Sequence, residues 1–231
     1  MVKDELVQRS PIRIFMKSIH GGLMPGNMGI IASPTGIGKT SVLVQIALDK
    51  LLQGQKVIHV SFSKHTDYVL AWYQDIFNEF IAKKNLENED EVKDDIVKNR
   101  VLMKFNQEGH TVDQILKSLR VMIKEGCFAA DQIIIDGYYF TPNEKENISR
   151  IRDFAKELNL SIWYSCNVAD ESSYDKKKIP LVLNDYAELF DVIVVLDPKP
   201  DHIEFAVSKG STVSPGQLAL KLDPKTLLIL E

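Results

Sequence analysis

The stretch Met28-Gly29-Ile30-Ile31-Ala32-Ser33-Pro34-Thr35-Gly36-Ile37-Gly38-Lys39-Thr40-Ser41 decides how this chain is read. Residues 28–32 form a short apolar run of the kind that becomes a buried strand. A loop with two glycines follows over 33–40, and 39–53 then reads as an apolar helix. Strand, glycine loop, lysine-threonine and helix, in that order, make a phosphate-binding loop. Each part has a task. The glycines let backbone amides approach phosphate oxygens where a β-carbon would collide. The helix offers unpaired first-turn amides and the positive end of its dipole. Lys39 reaches the β and γ phosphates, and the Thr40 hydroxyl holds magnesium. The cradle is expected from Ser33, Pro34, Thr35, Gly36, Ile37, Gly38, Lys39, Thr40 and Ser41. Ser33 stands where the G-x-x-x-x-G-K-[ST] pattern begins with glycine.

Further along, Gln132-Ile133-Ile134-Ile135-Asp136 is a buried-strand run ending in an acid. Asp136 is expected to hold the magnesium, mostly through water. Other candidate strands cover 56–62, 100–105, 161–165 and 191–196, with antiparallel strands at 202–208, 217–222 and 226–230. Asp223-Pro224-Lys225-Thr226 supplies a turn before the last of these. Helices are expected over 39–53, 66–84, 112–125, 146–159 and 183–190. Thr111 with Gln114 is a capping box. The acid-rich stretch 83–98 reads as a solvated helix end or a connection. Strands alternating with helices predict an α/β fold with a mostly parallel central sheet flanked by helices.

At 231 residues the chain is expected to hold one domain over 20–231, preceded by a lead-in segment over 1–19. The net charge of −4 gives no global attraction to nucleic acid or anionic lipid. Two cysteines without a CxxC point away from a disulfide framework or structural zinc, and fit a reducing compartment. No run approaches the ~20 apolar residues of a membrane helix. The expected location is the cytoplasm.

Several segments together resemble the RecA-like P-loop ATPases, in particular the KaiC-like branch, with DnaB-type helicase domains as more distant relatives. Gly21-Gly22-Leu23-Met24-Pro25-Gly26 resembles the family's lead-in, with one extra residue. The resemblance implies ATP and Mg2+ as cofactors. It also implies that strand 161–165 lies between the strands carrying the loop and Asp136. A polar residue at its end then senses the γ-phosphate. Here the sequence is Ser165-Cys166-Asn167, so Cys166 takes the sensor position and Asn167 is the substitute. Ala206-Val207-Ser208-Lys209-Gly210 resembles the segment that reaches a neighbouring subunit's γ-phosphate. Lys209 matches the family's lysine, while Ser211 replaces its arginine. Relatives that use this segment form rings, so the resemblance implies a homo-oligomer as a possible partner. The largest departure is Ser63, which stands where the family has the glutamate that activates water. Serine is no carboxylate base, and losing the general base costs ~100- to 10,000-fold in rate. His65 is the alternative base, and Lys64 can only neutralise charge.

Loops 137–146 and 167–180 match those that face a polymer in recombinases. They carry Tyr138, Tyr139, Phe140, Tyr174 and Lys176-Lys177-Lys178, which suit stacking on single-stranded nucleic acid. The acidic chain disfavours that partner. Four readings follow: an ATP-binding protein with weak hydrolysis serving assembly or signalling; an active DNA-dependent ATPase or recombinase paralogue; a non-hydrolysing scaffold; and a small-molecule kinase. The segment 168–178, a candidate kinase lid, has no arginine, which argues against the last.

Overall fold

The structure is a computed structural model and describes residues 12–62, 67–82, 89–106, 108–141, 143–169, 173–212 and 220–230. Helix α1 (Ile12–Ser18) was not expected. Its signal is Ile12, Phe15, Met16 and Ile19 at helical spacing, all buried. The end of the lead-in segment thus shares the core of the rest. Strand β1 (Met28–Ser33) is buried throughout and leads into helix α2 (Lys39–Leu52). Then come β2 (Val57–Ser61), α3 (Asp67–Ala82), α4 (Glu89–Lys98) and β3 (Arg100–Lys104). Helix α4 occupies most of the acidic stretch, because Val92 and Ile96 give it one buried turn against the core.

Helix α5 (Val112–Arg120) starts on the Thr111 capping box and widens into a π-helical turn over Val121–Glu125. Strand β4 (Gln132–Asp136), helix α6 (Lys145–Glu157) and strand β5 (Ser161–Asn167) follow. The helix expected over 183–190 is instead two 3₁₀ turns, Leu181–Leu183 and Ala187–Leu189. Strands β6 (Val192–Pro198), β7 (Ile203–Lys209), β8 (Lys221–Leu222) and β9 (Ile229–Leu230) end the fold. The expected strand at 217–222 falls partly outside the described residues.

Among the described residues nine strands form one sheet in the order β3-β2-β4-β5-β1-β6-β7-β8-β9. The first six in that order are parallel, and the last three add antiparallel. The chain is therefore α/β with a mostly parallel sheet, helices on both faces and C-terminal antiparallel strands. Strand β5 lies between β4 and β1, the place the resemblance implies for it. Helices α1 to α4 cover one face, with α2 buried along nearly its whole surface. Helices α5 and α6 and the 3₁₀ turns cover the other.

One close approach fixes the centre. A β-carbon on Gly29 would lie 2.4 Å from Cζ3 of Trp163 in the neighbouring strand. That ring packs in turn on Phe15, at 5.7 Å between centroids, and Phe15 packs on Phe205 at 4.8 Å. The unexpected N-terminal helix is thus fastened to the middle of the sheet. Among the described residues no helix is long and apolar enough to cross a membrane.

Candidate functional site at the ends of the central strands

Parallel strands β1, β4 and β5 all end on one edge of the sheet, where α/β folds place their ligand sites. Register sets the residues side by side. Ser33 on β1 pairs with Asn167 on β5, and Ser61 on β2 pairs with Asp136 on β4. The 33–40 loop leaves this edge and turns into α2. Gly36 and Gly38 take left-handed backbones, φ 86° and 106°, which explains why the loop needs glycine at both. Gly38 caps α2 without a side-chain hydrogen bond, and the first turn carries no acid. The positive end of this helix is uncompensated by its own residues.

Lys39 is buried and folds back over the loop. Its ammonium donates to Ser33 O at 3.0 Å, Ser33 Oγ at 3.2 Å and Pro34 O at 2.7 Å. Burial draws its pKa from 10.5 down to about 8, against Cys166 and Asp136, which favour the charge. The Thr40 hydroxyl donates to Asp136 Oδ2 at 2.9 Å. Ser165 donates to the other carboxylate oxygen, Oδ1, at 2.7 Å, and its Oγ accepts from Gly137 N at 2.8 Å. Asp136 is thereby tied to both neighbouring elements. Ser165 was not singled out from sequence. Its signal was a buried serine at the end of the strand beside an Asp-terminated one.

The remaining expected residues divide. Thr35 and Gly36 are exposed at the loop tip, and Ile37 is half-buried. Ser41 turns its hydroxyl to Leu227 O at 2.8 Å, toward the C-terminal strands. Asn167 is exposed beside Ser33, while Val168 N donates to Ser33 O at 3.0 Å and pins the loop's first residue. Cys166 is fully buried, and burial pushes its thiol up to about 12, opposed by Lys39, so it is inert at neutral pH. Lys209 lies away from the loop. Its register partner Ile193 sits level with Ile30, three residues before Ser33. There its ammonium donates to Ala187 O at 3.0 Å and Phe190 O at 2.5 Å, beside the Arg152–Asp191 ion pair. Burial lowers its pKa. Ser63, Lys64 and His65 lie outside the described residues.

Among the described residues no group of three His, Cys, Asp or Glu gathers as a metal cage. Thr40 Oγ1 and Asp136 Oδ2 instead offer two adjacent hard oxygen donors, the small protein share typical of magnesium held together with phosphates. A cavity of about 300 Å3 opens beside Pro34, walled by Tyr174, Lys178, Asp197 and Lys199. Lys178 and Lys199 both bind Asp197 Oδ2, at 3.0 and 2.8 Å, so these lysines are already paired. Of the loop residues expected to suit stacking on a polymer, Tyr138 and Phe140 are buried, and Tyr139 is 71% exposed. The chain matches no known family model and no curated protein.

Proposed function

We propose that this chain is a RecA-like protein that binds ATP with magnesium on the 33–40 loop, hydrolyses it slowly, and uses the bound nucleotide for assembly or signalling between copies of itself. The observation that carries the reading is the Thr40–Asp136 hydrogen bond. It joins the two halves of a magnesium-phosphate site, one from the loop and one from the end of a buried strand 96 residues away. The position of β5 between β4 and β1 agrees with the resemblance to the RecA-like family.

The chain's own residues divide the work. The amides of the 33–40 loop and the first turn of α2 bind phosphate oxygens. Lys39 exchanges the carbonyls of Ser33 and Pro34 for the β and γ phosphates. Thr40 and Asp136 would hold the metal, with Ser165 fixing the carboxylate through Oδ1. Magnesium, when bound, neutralises charge between the β and γ phosphates. Asn167 stands at the γ-phosphate end as the sensor. Ser63 supplies no carboxylate to polarise water, which makes turnover slow. For Lys209 to reach a neighbouring copy's phosphate, it must first leave Ala187 O and Phe190 O.

Titration with Mg-ATP tests binding: a thermal shift is expected for the native chain and none for Lys39→Ala. Equal behaviour of the two would falsify the site. Steady-state phosphate release then tests turnover. A rate near ~10 per second, the enzyme median, overturns the slow-hydrolysis reading. The exposed Tyr139 favours one second reading, binding of single-stranded nucleic acid, which adding that polymer to the same assay checks.

A further inference from the structure

The C-terminal strands are built onto the helix that carries the loop. Gln45 is buried on α2, two turns from its start. Its Nε2 donates to Leu227 O at 3.0 Å, and its Oε1 accepts from Ile229 N at 3.0 Å. The Ser41 hydroxyl donates to the same Leu227 carbonyl at 2.8 Å. That carbonyl is aimed at α2 because Leu227 adopts φ 54°, a left-handed backbone that a leucine rarely takes. The turn before it is fixed by Asp223, whose Oδ1 accepts from Lys225 N at 2.7 Å and Thr226 N at 3.1 Å. The space beside the loop's last glycine is filled by the same segment. A β-carbon on Gly38 would lie 3.3 Å from Leu227 Cδ2 and 3.4 Å from Leu222 Cδ2. The last glycine of the loop is therefore walled by the C-terminal segment.

From this we infer that Gln45 and Leu227 are positioning residues of the phosphate loop, and that nucleotide binding and docking of the C-terminal segment are energetically coupled. The inference rests on the nucleotide reading of the loop. The physical argument is local. Lys39 must leave the carbonyls of Ser33 and Pro34 to reach a phosphate, and Gly38 is its direct chain neighbour. Any reshaping of the loop presses on Leu227. Conversely, a Leu227 held by Ser41 and Gln45 limits the shapes that Gly38 can take. Coupling of this kind is reciprocal: if docking favours nucleotide, nucleotide favours docking by the same factor. A strained left-handed residue at the contact fits a functional constraint better than a passive chain end.

The test uses the full chain with Mg-ATP as probe. Amide exchange of Leu227 and Ile229 is followed with and without Mg-ATP, and Mg-ATP affinity is compared between the native chain and Gln45→Met. The variant keeps the side-chain bulk and removes both hydrogen bonds to the C-terminal segment, together with the longer Nε2 contacts to Ser41 O and Oγ within α2. Coupling predicts that Mg-ATP slows exchange of these amides roughly tenfold, and that Gln45→Met weakens Mg-ATP roughly tenfold, within the common range of coupling energies. A purely structural Gln45 lowers the melting temperature and leaves affinity well below that temperature unchanged. That result overturns the inference, as does Mg-ATP binding with no change in exchange. If Gln45→Met fails to fold, the exchange measurement on the native chain decides alone. If the native chain shows no Mg-ATP binding at all, the underlying site reading falls with it; binding without protection overturns only the coupling.

Discussion

Thr40 and Asp136, 96 residues apart, meet in a 2.9 Å hydrogen bond at the carboxyl edge of the sheet. The loop and the end of β4 are thus locked together in the protein's own geometry. In the proposed function the same two side chains serve magnesium. Asp136→Ala removes one of them and the anchor of the other. The expected outcome is loss of the magnesium-dependent part of ATP affinity, roughly tenfold or more, equivalent to about 1.4 kcal/mol. Calorimetry with and without magnesium measures it. An unchanged magnesium dependence would remove Asp136 from the site.

In the proposed function Lys39 makes binding pH-dependent. Only an ammonium pairs with phosphate, and in the free protein burial brings its pKa down to about 8. Binding a triphosphate raises that pKa. Above it the chain must take up a proton to bind, so affinity falls as pH rises through 8, by at most roughly tenfold per pH unit. Below about pH 7 this group contributes no pH dependence. Kd measured from about pH 6.5 to about pH 9.5 decides, and affinity that holds constant up to the top of that range contradicts the assignment.

Ser165 is expected to matter for stability. Ser165→Ala leaves Asp136 Oδ1 and Gly137 N without the partner each now has. Leaving buried polar groups unpaired costs about 1–3 kcal/mol. Chemical denaturation measures this directly, and a change under about 0.5 kcal/mol, ordinary for surface positions, would show that water replaces the hydroxyl.

Asp49 sets a second pH dependence, far from the loop. Its carboxyl is buried on α2, with Arg13 Nε 2.7 Å away. Burial raises its pKa to about 6, against Arg13, Lys50 and Gln53, which favour the charge. The folded chain therefore binds this proton more tightly than the unfolded one. The contribution to stability is fully present below pH 3.8, declines from there, and is gone once pH has risen past about 6. Asp49→Asn stays neutral throughout. Relative to the native chain it should gain stability between pH 4 and pH 7, by at most about 3 kcal/mol. Urea unfolding at the two pH values reads the difference, and a parallel pH profile for both proteins refutes it.

How much of this was legible in the sequence depends on the kind of signal. The run over 28–32, the Lys39-Thr40 pair and the Ile133-Ile134-Ile135-Asp136 strand are local patterns, and each forms the kind of element expected of it, the first extending one residue further to Ser33. The segment 183–190 misled because apolar spacing alone does not separate an α-helix from two 3₁₀ turns. Helix α1 was legible but overlooked, since its apolar set lies beside charged residues. The roles of Ser165 and Gln45 could not be read, although a serine at the end of the strand beside an Asp-terminated one was a signal for Ser165. Their roles come from partners 29 and 184 residues away, and no local spacing encodes such pairings.

Gly29 under the ring of Trp163 has an optical consequence. The chain holds two tryptophans, Trp72 and Trp163. Trp163 is 1% exposed in the middle of the sheet. Trp72, on α3, lines a groove with Lys225, Thr226 and Leu228. One indole is sealed in a static apolar seat, so its emission should be blue-shifted and insensitive to quenchers. The other sits against the C-terminal turn. Trp163→Phe leaves a single emitter there, turning intrinsic fluorescence into a label-free view of that turn.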